Sequence, residues 1–454
     1  MTGRLRTTGC AHRQNRFRSR LRRAVASSEG PVGPARRGPA HVYADRMTSR
    51  PVTSPARSVD DYRDSIERLL RPLAARAVRS AAVPEALGRQ LATDVRSPID
   101  LPVFRNSAMD GYAVRAASVV VAPVTLPVAG VVAAGAAGQT PLPAGAAMKV
   151  MTGAPIPPGA DCVVPVEDVR AEGDSIVVER GRAAGEFVRE AGADVRTGEL
   201  LVRAGTALAP RHIAALAAVG LAEVPVFQPI RAAVITTGDE LVPAATPLRP
   251  GQIYNSNGIA LAAALIANGV EVVSVEHSTD DPGVFRRLLS AATSSADIVF
   301  TSGGVSKGDF EVVKDVLAPL GGQFGSVAMQ PGGPQGLTVV DGVAVLSFPG
   351  NPVSTMVSFE VLARPILRAL AGLPPVPGHE LPLRNAIRSP EGRRQFLRGT
   401  LERGGPHADP VAVAVASGPG SHLVAGMAWA DVLIDVPAEV TSLPIGATVR
   451  VWTL

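Results

Sequence analysis

The feature that most constrains the fold is a regular alternation of apolar runs and amphipathic segments between residues 231 and 370. Each of four short apolar runs predicts a strand, and each is followed by a segment whose apolar residues have helical spacing. The predicted strands are 232–236, 270–276, 296–301 and 343–348, and the predicted helices are 258–269, 282–292, 310–320 and 352–370. Strands that alternate with helices favour right-handed crossovers, so we expect a largely parallel sheet covered on both faces.

Other patterns lie on either side of this region. An amphipathic helix is predicted over 59–78, with Ser58 or Asp60 able to cap its start. Short β-like runs broken by Gly and Pro then predict a small antiparallel or mixed β domain, with strands at 119–121, 128–132, 162–166 and 175–179. Helical spacing returns over 210–218, and after a Pro-rich linker the last 75 residues, 380–454, predict short strands of an all-β domain.

The net charge of +5 is unevenly distributed. Residues 1–46 hold 11 of the 45 basic residues and two of the 40 acidic ones, so they carry +9 and the remaining chain carries −4. This arm could be a targeting segment, a solvated tail, or sequence upstream of a true first residue at Met47. Because the body is mildly acidic, the charge does not favour nucleic acid as a partner.

Cysteine content and hydropathy exclude several classes of protein. Cys10 and Cys162 are too few for a disulfide framework or a four-cysteine zinc site. No apolar run approaches the roughly 18 to 20 residues that a membrane-spanning helix needs. We therefore expect a soluble protein of a reducing, cytoplasmic compartment that does not bind a membrane.

Polar or Gly-rich segments follow all four predicted strands, where a parallel sheet forms its ligand crevice. Backbone N–H groups in such turns suit a phosphate. Carboxylates at the same edge would repel that anion unless Mg²⁺ lay between them. The candidate phosphate ligands are Thr237, Gly238, Asp239, Ser302, Gly303, Gly304, Pro349, Gly350, Asn351 and Pro352, and the carboxylates are Asp239, Glu240, Asp280, Asp309 and Glu311.

Several of these residues also have a structural interpretation. Asp281 precedes Pro282 at a predicted helix start, which favours a helix N-cap over a ligand, and Asn351 before Pro352 could cap in the same way. Asp110 and Thr152 each lie in a Gly turn, and a structural role is favoured for each taken singly.

Six motifs closely resemble the molybdopterin molybdenumtransferase family, which comprises MoeA and the E domain of gephyrin. They are NSAMDGYAV (106–114), KVMTGAPIPPGADCVVPVED (149–168), ITTGDEL (235–241), GQIYNSNG (251–258), FTSGGVSKGD (300–309) and FPGNPVS (348–354). The resemblance covers about residues 50–454 in the same order and leaves out the Arg-rich arm.

The resemblance implies a multidomain α/β and β fold. Its parts would be a MogA-like, molybdopterin-binding α/β domain with a parallel sheet, a helical and mixed dimerisation domain, a small β domain and a C-terminal domain like a β-barrel. We assign residues 1–50 to a disordered Arg-rich extension, 58–80 and 193–229 to the elongated dimerisation domain, 81–192 to the small β domain, 230–372 to the α/β domain and 378–454 to the C-terminal domain.

The family's activity is implied in the same way. Such enzymes insert molybdate into adenylyl-molybdopterin with Mg²⁺-dependent release of AMP, which gives molybdenum cofactor. The resemblance also implies a homodimer, with the active site between the α/β domain of one subunit and the small β domain of the other. The molybdopterin adenylyltransferase is a further candidate partner.

The resemblance implies functional positions at Asp110, Thr152, Asp194, Glu240, Asp280, Glu311, Pro349 and Pro352. Mg²⁺ would lie among Glu240, Asp280 and Glu311, while Arg393 and Ser421 match positions near molybdate. Two departures stand out. Many relatives have Asp where this chain has Glu311, and many read K-P-G-K-P where Gln330 and Gly333 replace both lysines.

Two other functions stay open. The α/β domain alone resembles molybdopterin adenylyltransferases, although the β domains and the NSAMDGYAV motif argue against that activity. A non-catalytic scaffold of the same fold is the second alternative. The retention of four residues argues against it: Asp110, Thr152, Glu240 and Asp280.

Overall fold

The computed structural model describes residues 56–454 except 136–139, 307, 309–310 and 406–408, so the predicted Arg-rich extension 1–50 and Asp309 lie outside the described residues. The described chain forms two compact units. One is Val78–Phe227, and the other combines the residues before it with Gln228–Leu454. No helix in the described part of the chain is long and apolar enough to cross a membrane.

The α-helices are α1 (Val59–Leu70), α2 (Pro210–Ala218), α3 (Ser256–Ala267), α4 (Pro282–Ser295), α5 (Val312–Leu317), α6 (Pro352–Ser358), α7 (Arg364–Leu370) and α8 (Ala425–Ala428). Five 3₁₀ turns (Arg71–Ala75, Val83–Glu85, Ala116–Ser118, Val166–Asp168, Ala318–Leu320) and a π-helical turn (Phe359–Ala363) complete the helical structure of the described residues. The predicted helix 352–370 is thus interrupted before Pro365, which cannot donate a helical hydrogen bond.

The unit Val78–Phe227 is mostly β-structure. Its strands are β1 (Val78–Ala82), β2 (Val95–Arg96), β3 (Asn106–Ser107), β4 (Gly111–Val114), β5 (Val124–Val132), β6 (Ala147–Val150), β7 (Cys162–Pro165), β8 (Val169–Glu172), β9 (Ser175–Val178), β10 (Val188–Arg189), β11 (Leu200–Val202) and β12 (Glu223–Phe227). Six of them form one mixed sheet in the order β7-β4-β6-β5-β9-β8. The strand predicted at 119–121 is wrong, because Val120 and Val121 are exposed in a bend before Pro123.

The second unit carries the remaining strands. They are β13 (Arg231–Thr237), β14 (Leu241–Val242), β15 (Ile253–Tyr254), β16 (Glu271–Ser278), β17 (Ile298–Ser302), β18 (Gln323–Ser326), β19 (Met329–Gln330), β20 (Pro334–Val340), β21 (Val343–Phe348), β22 (Gly378–Pro382), β23 (Ile387–Arg388), β24 (Arg394–Arg403), β25 (Pro410–Val415), β26 (Val432–Val436), β27 (Ser442–Leu443) and β28 (Thr448–Thr453). The main sheet has the order β16-β13-β17-β21-β20-β18.

The four predicted strands of this sheet are all present and pair in parallel, as β16-β13-β17-β21. Two antiparallel strands, β20 and β18, extend one edge and were not predicted. Their sequences QFGS and PQGLTVV contain Gly and Pro, which weaken the strand pattern.

The main sheet is buried on both faces, as a parallel sheet requires. Along β17, Phe300 faces one core and Val299 the other. Phe300 packs against Phe348 and Phe359 with ring centroids 5.7 and 6.3 Å apart. Alternate side chains of one strand therefore anchor two helical layers.

Helix α1 belongs to this unit. Ser58 Oγ accepts a hydrogen bond from the Asp61 N–H over 3.0 Å, as predicted for its cap. Tyr62, Ile66 and Leu70 pack in the same core cluster as Phe300. This differs from our grouping of 58–80 with 193–229, because the apolar stripe of α1 faces the α/β core. The helix also ends before the predicted Val78, at a 3₁₀ turn that contains Pro72.

The C-terminal strands form a barrel-like domain. β24, β26, β28 and β22 pair in sequence, and β25 pairs with the other edge of β24. A bridge between Leu383 and Val413 links the β22 and β25 ends and closes the ring. Arg394 forms ion pairs with Asp435 and Asp60, so it ties this domain to α1.

We expect Ile66→Ala to lower the free energy of unfolding by about 2–4 kcal/mol, because it leaves a cavity in the core that α1 shares with the main sheet. Chemical denaturation checks this, with the exposed neighbour Glu67→Ala as control. Equal stability of the two variants would contradict the packing of α1 on this core.

Candidate active site

The carboxyl ends of four parallel strands meet at one edge of the main sheet. Thr237 at the end of β13 is paired with Ser278 at the end of β16. Ser302 at the end of β17 is paired with Thr236 on one side and with Phe348 of β21 on the other. The structure therefore brings the polar segments after all four strands to one edge of the sheet, as the sequence predicted, and we call this edge the crevice because ligands of parallel sheets bind there.

Three carboxylates lie at this edge just after the ends of β13 and β16. They belong to Asp239, Glu240 and Asp280, and we call these three residues the acidic corner. Asp239 Oδ1 accepts a hydrogen bond from the Asp280 N–H over 3.1 Å. The carboxylate of Glu240 folds back over Gly238. Gly238 has a φ of +138°, a conformation that favours glycine in this turn.

The acidic corner holds more negative charge than the described residues balance. Burial, together with the charges of Asp239 and Glu240, raises the pKa of Asp280. His277 at the end of β16 is the nearest cationic candidate, but burial lowers its pKa. Sequence reasoning missed His277, although its position at a strand end next to Asp280 was a usable signal.

The Gly-rich turns lie at the β17 and β21 side of the edge. A Cβ on Gly350 would lie 3.3 Å from the Cα of Gly303, so the two turns are in close contact. The N–H of Gly303 donates to the Phe348 carbonyl over 3.1 Å. The N–H groups of Gly304, Gly350 and Asn351 donate to no described residue, and such open donors suit an oxyanion.

Glu311 does not join the acidic corner. Its two carboxylate oxygens accept hydrogen bonds from the N–H groups of Ser306 (2.7 Å) and Gly308 (3.0 Å). It therefore holds its own loop. Within the described ranges no group of three or more His, Cys, Asp or Glu side chains could hold a metal ion, so Glu240, Asp280 and Glu311 do not form one.

Asp110 and Thr152 are brought together in the unit Val78–Phe227. Asp110 Oδ1 accepts hydrogen bonds from the Thr152 N–H (2.6 Å) and hydroxyl (2.9 Å). These bonds lower the pKa of Asp110, and the charge of Lys149 acts in the same direction. The carboxylate is thus fixed as an anion at an exposed position.

Asp194 lies in the same unit at an open pocket of about 530 Å³. The pocket is mostly apolar, with Asp194 and Glu199 as its carboxylates; its other lining residues are Leu101, Val195, Leu200, Leu201, Ala214, Ala215 and Ala218. The backbone of Asp194 is fixed because its N–H donates to the Leu101 carbonyl over 2.9 Å.

Sequence reasoning missed Arg398 in β24. Its side chain is fully buried and donates to Ser417 Oγ and to the carbonyls of Gly418 and Gly420. It has no carboxylate partner among the described residues, and its Nη1 has no hydrogen-bond partner there. Burial lowers its pKa. The missing signal is tertiary, since the strand RQFLRGTLER contains three arginines and nothing in its sequence shows that Arg398 is the one that is fully buried.

The segment that binds Arg398 leads to Ser421, whose carbonyl accepts a hydrogen bond from the Val353 N–H over 3.1 Å. The predicted molybdate residue Ser421 therefore adjoins the turn Pro349–Pro352. Arg393, the other predicted molybdate residue, lies exposed in a turn before β24. Gln330 Oε1 accepts a hydrogen bond from Gln395 Nε2 over 2.7 Å.

The two predicted helix caps have different outcomes. Asp281 Oδ1 accepts a hydrogen bond from the Val284 N–H over 2.8 Å, so it caps α4 as predicted. Asn351 occupies the N-cap position of α6, but its side chain makes no capping hydrogen bond. Its amide is thus available to the crevice.

Comparison with known families agrees with this architecture. Three family profiles match in order: the MoeA N-terminal region (domain I and II) over 57–220, the "Probable molybdopterin binding domain" over 233–369, and the MoeA C-terminal region (domain IV) over 380–454.

Relatives match along nearly their whole length. Molybdopterin molybdenumtransferase 2 of Mycobacterium tuberculosis is 41% identical over 413 residues, which cover 88% of this chain and 100% of that protein. Molybdopterin molybdenumtransferase of Synechococcus elongatus is 39% identical, with 87% and 99% covered. Two crystal structures of molybdopterin biosynthesis MoeA protein from Pyrococcus horikoshii also match. One has a TM-score of 0.73 at 27% identity, and the match covers 88% of this chain and 100% of that one. The other has a TM-score of 0.70 at 34% identity, and the match covers 86% of this chain and 98% of that one.

The fold and the crevice thus define a multidomain protein of the MoeA class, which confirms the predicted fold class. The chain belongs to the molybdopterin molybdenumtransferase family, which acts in molybdenum cofactor biosynthesis.

We expect Asp280→Asn to raise the midpoint of thermal unfolding at pH 7. A carboxyl whose pKa is raised on folding destabilises the folded state once it is ionised, and asparagine removes that cost. The gain should shrink as the pH falls toward the unfolded pKa of Asp, near about 4. Calorimetry at several pH values measures this, with the exposed Asp64→Asn as control. A gain independent of pH would contradict the electrostatic cause.

Proposed function

We propose that this chain is a molybdopterin molybdenumtransferase that inserts molybdate into adenylyl-molybdopterin and releases AMP. The observation that carries the proposal is the pairing, at one sheet edge, of the acidic corner with open backbone N–H groups on the neighbouring strand ends. The N–H groups would bind the phosphate of the adenylate, and the carboxylates would hold the cation that the anion requires.

The acidic corner fits Mg²⁺ without a third protein ligand. Mg²⁺ commonly binds to one or two carboxylates together with substrate phosphates and water. Burial raises the pKa of Asp280, and the charges of Asp239 and Glu240 add to this effect; a bound cation would neutralise those charges. Glu240 and Asp280 would hold the ion, while Glu311 accepts the hydrogen bonds of Ser306 and Gly308. When bound, Mg²⁺ would neutralise charge on the phosphoanhydride and on the departing AMP.

A second anion site lies at Arg398, and we assign molybdate to it. A buried guanidinium without a counter-ion is costly, and a bound oxyanion would offset that cost. The three carbonyl and hydroxyl acceptors orient Arg398, while its buried Nη1 has no hydrogen-bond partner among the described residues. Ser421 adjoins this site through the segment 417–421, whereas the exposed Arg393 would contribute through charge alone.

Asp110 and Thr152, contributed by the partner subunit of the homodimer that the resemblance implies, would position the pterin end of the substrate, and Asp194 is a further functional position of the family. Asp110 Oδ2 accepts no hydrogen bond from a described residue, so it is open to a ligand donor. The homodimer and the adenylyltransferase partner remain proposals drawn from the family resemblance. Accumulation of adenylyl-molybdopterin from molybdopterin and ATP would instead favour the alternative adenylyltransferase activity.

We expect Glu240→Ala to retain binding of adenylyl-molybdopterin and to lose about 10²-fold or more in the rate of AMP release, because the cation loses a ligand at the phosphoanhydride. AMP release on molybdate addition, followed by chromatography at varied Mg²⁺, measures this. Glu271→Ala, at the opposite end of β16, should keep the wild-type rate. An unchanged rate in Glu240→Ala would remove the metal role from this residue.

We expect Arg398→Gln to raise the KM for molybdate by about 10-fold or more, which corresponds to roughly 1.4 kcal/mol. Molybdate should also raise the midpoint of thermal unfolding of the wild type and of Arg393→Gln, but not that of Arg398→Gln, because ligand binding stabilises only a chain that retains the site. The opposite ranking of the two arginine variants would assign molybdate to the exposed turn.

A further inference from the structure

One asparagine of the GQIYNSNG segment connects two strand ends of the crevice. Asn257 lies in the first turn of α3 and is only 9% exposed. Its Nδ2 donates to Ser302 Oγ over 2.9 Å and to the Gly350 carbonyl over 2.7 Å. Because an amide NH₂ group has two hydrogens, both of its donors are used.

Ser302 belongs to a buried polar network behind the Gly-rich turns. Its hydroxyl lies 3.1 Å from Thr355 Oγ1, which donates to the Pro349 carbonyl over 2.6 Å. Ser302 is 2% exposed and Thr355 is fully buried. Because Ser302 Oγ is buried, removal of the Asn257 donor takes away a hydrogen bond that bulk water does not readily replace.

This network sets the separation of the two turns. The β17 turn and the β21 turn approach so closely that a Cβ on Gly350 would lie 3.3 Å from Gly303 Cα. The Gly350 carbonyl, which accepts a hydrogen bond from Asn257, and the Asn351 N–H belong to the same planar peptide group. A hydrogen bond to that carbonyl therefore fixes the orientation of the Asn351 N–H, which donates to no described residue.

We propose that Asn257 is a positioning residue for the phosphate end of the substrate. It holds the Ser302 and Gly350 turns so that the N–H groups of Gly304, Gly350 and Asn351 are aimed at one anion. It acts through Ser302 and the Gly350 carbonyl and does not itself contact the substrate. The inference rests on the proposed function, because that function supplies the phosphate.

Helix α3 offers a matched control at its other end. Asn268 follows the last turn of α3 and is 4% exposed. Its Nδ2 donates to the Ala264 carbonyl over 2.7 Å, and its Oδ1 accepts from Arg368 over 3.1 Å. It is as buried and as well bonded as Asn257, but it lies away from the crevice. A general loss of helix stability would therefore affect both variants.

The experiment compares Asn257→Ala, Asn257→Ser and Asn268→Ala with the wild type. We measure kcat and KM for AMP release, the Kd for AMP as a probe of the phosphate site, and hydrogen exchange of peptides covering 302–305 and 349–353. For Asn257→Ala we expect kcat/KM to fall by about 10- to 100-fold and AMP to bind more weakly, since small displacements of positioned groups have effects of this size. Exchange should rise in both turns.

The remaining variants separate positioning from stability. Asn257→Ser keeps one donor, so it should lie between the wild type and Asn257→Ala, and it replaces the latter if that variant does not fold. Asn268→Ala should keep wild-type kcat/KM and exchange at the turns, whatever its melting temperature. Wild-type kinetics and exchange in folded Asn257 variants would overturn the inference. Absence of AMP release from the wild type would overturn the proposed function instead. Hydrogen exchange of the peptides 302–305 and 349–353 would then still decide whether Asn257 holds the two turns.

Discussion

The parallel pairing of β13 with β16 and β17, and of β17 with β21, is the constraint on which the candidate site depends. Parallel strands end at the same edge of a sheet, because each crossover helix returns the chain to the opposite edge. Segments as far apart in the chain as Thr237 and Pro352 are thereby placed at the same edge of the sheet. Packing of α1 on the same core adds to the layer that supports this sheet.

Charge divides across this edge in the order of the strands. The two strands at one side, β16 and β13, end in the acidic corner, and the two beside them, β17 and β21, end in turns with open N–H groups. In the proposed function a cation and an anion would bind next to each other at this edge, each offsetting the electrostatic cost of the other. Arg398 provides a separate cationic position, and segment 417–421 connects it to the start of α6.

Much of this arrangement was predictable from residues alone. The four strands, their common edge and the cap of Asp281 follow from local patterns of hydrophobicity and helix start signals. The antiparallel strands β18 and β20 were not predictable in this way, because edge pairing compensates for the Gly and Pro in their sequences. The apolar stripe of α1 was recognisable, but nothing local identifies the surface that covers it.

The sequence by itself determined the α/β pattern, the family and the identity of most polar groups at the crevice. Only the tertiary structure decided which of them act together. Glu311 accepts hydrogen bonds from its own loop and leaves Glu240 and Asp280 as the carboxylates open to a cation. Arg398 and Asn257 became visible only as buried groups with particular partners. Burial makes each unmatched charge or donor costly, and burial is a property of the packed chain and not of any local segment.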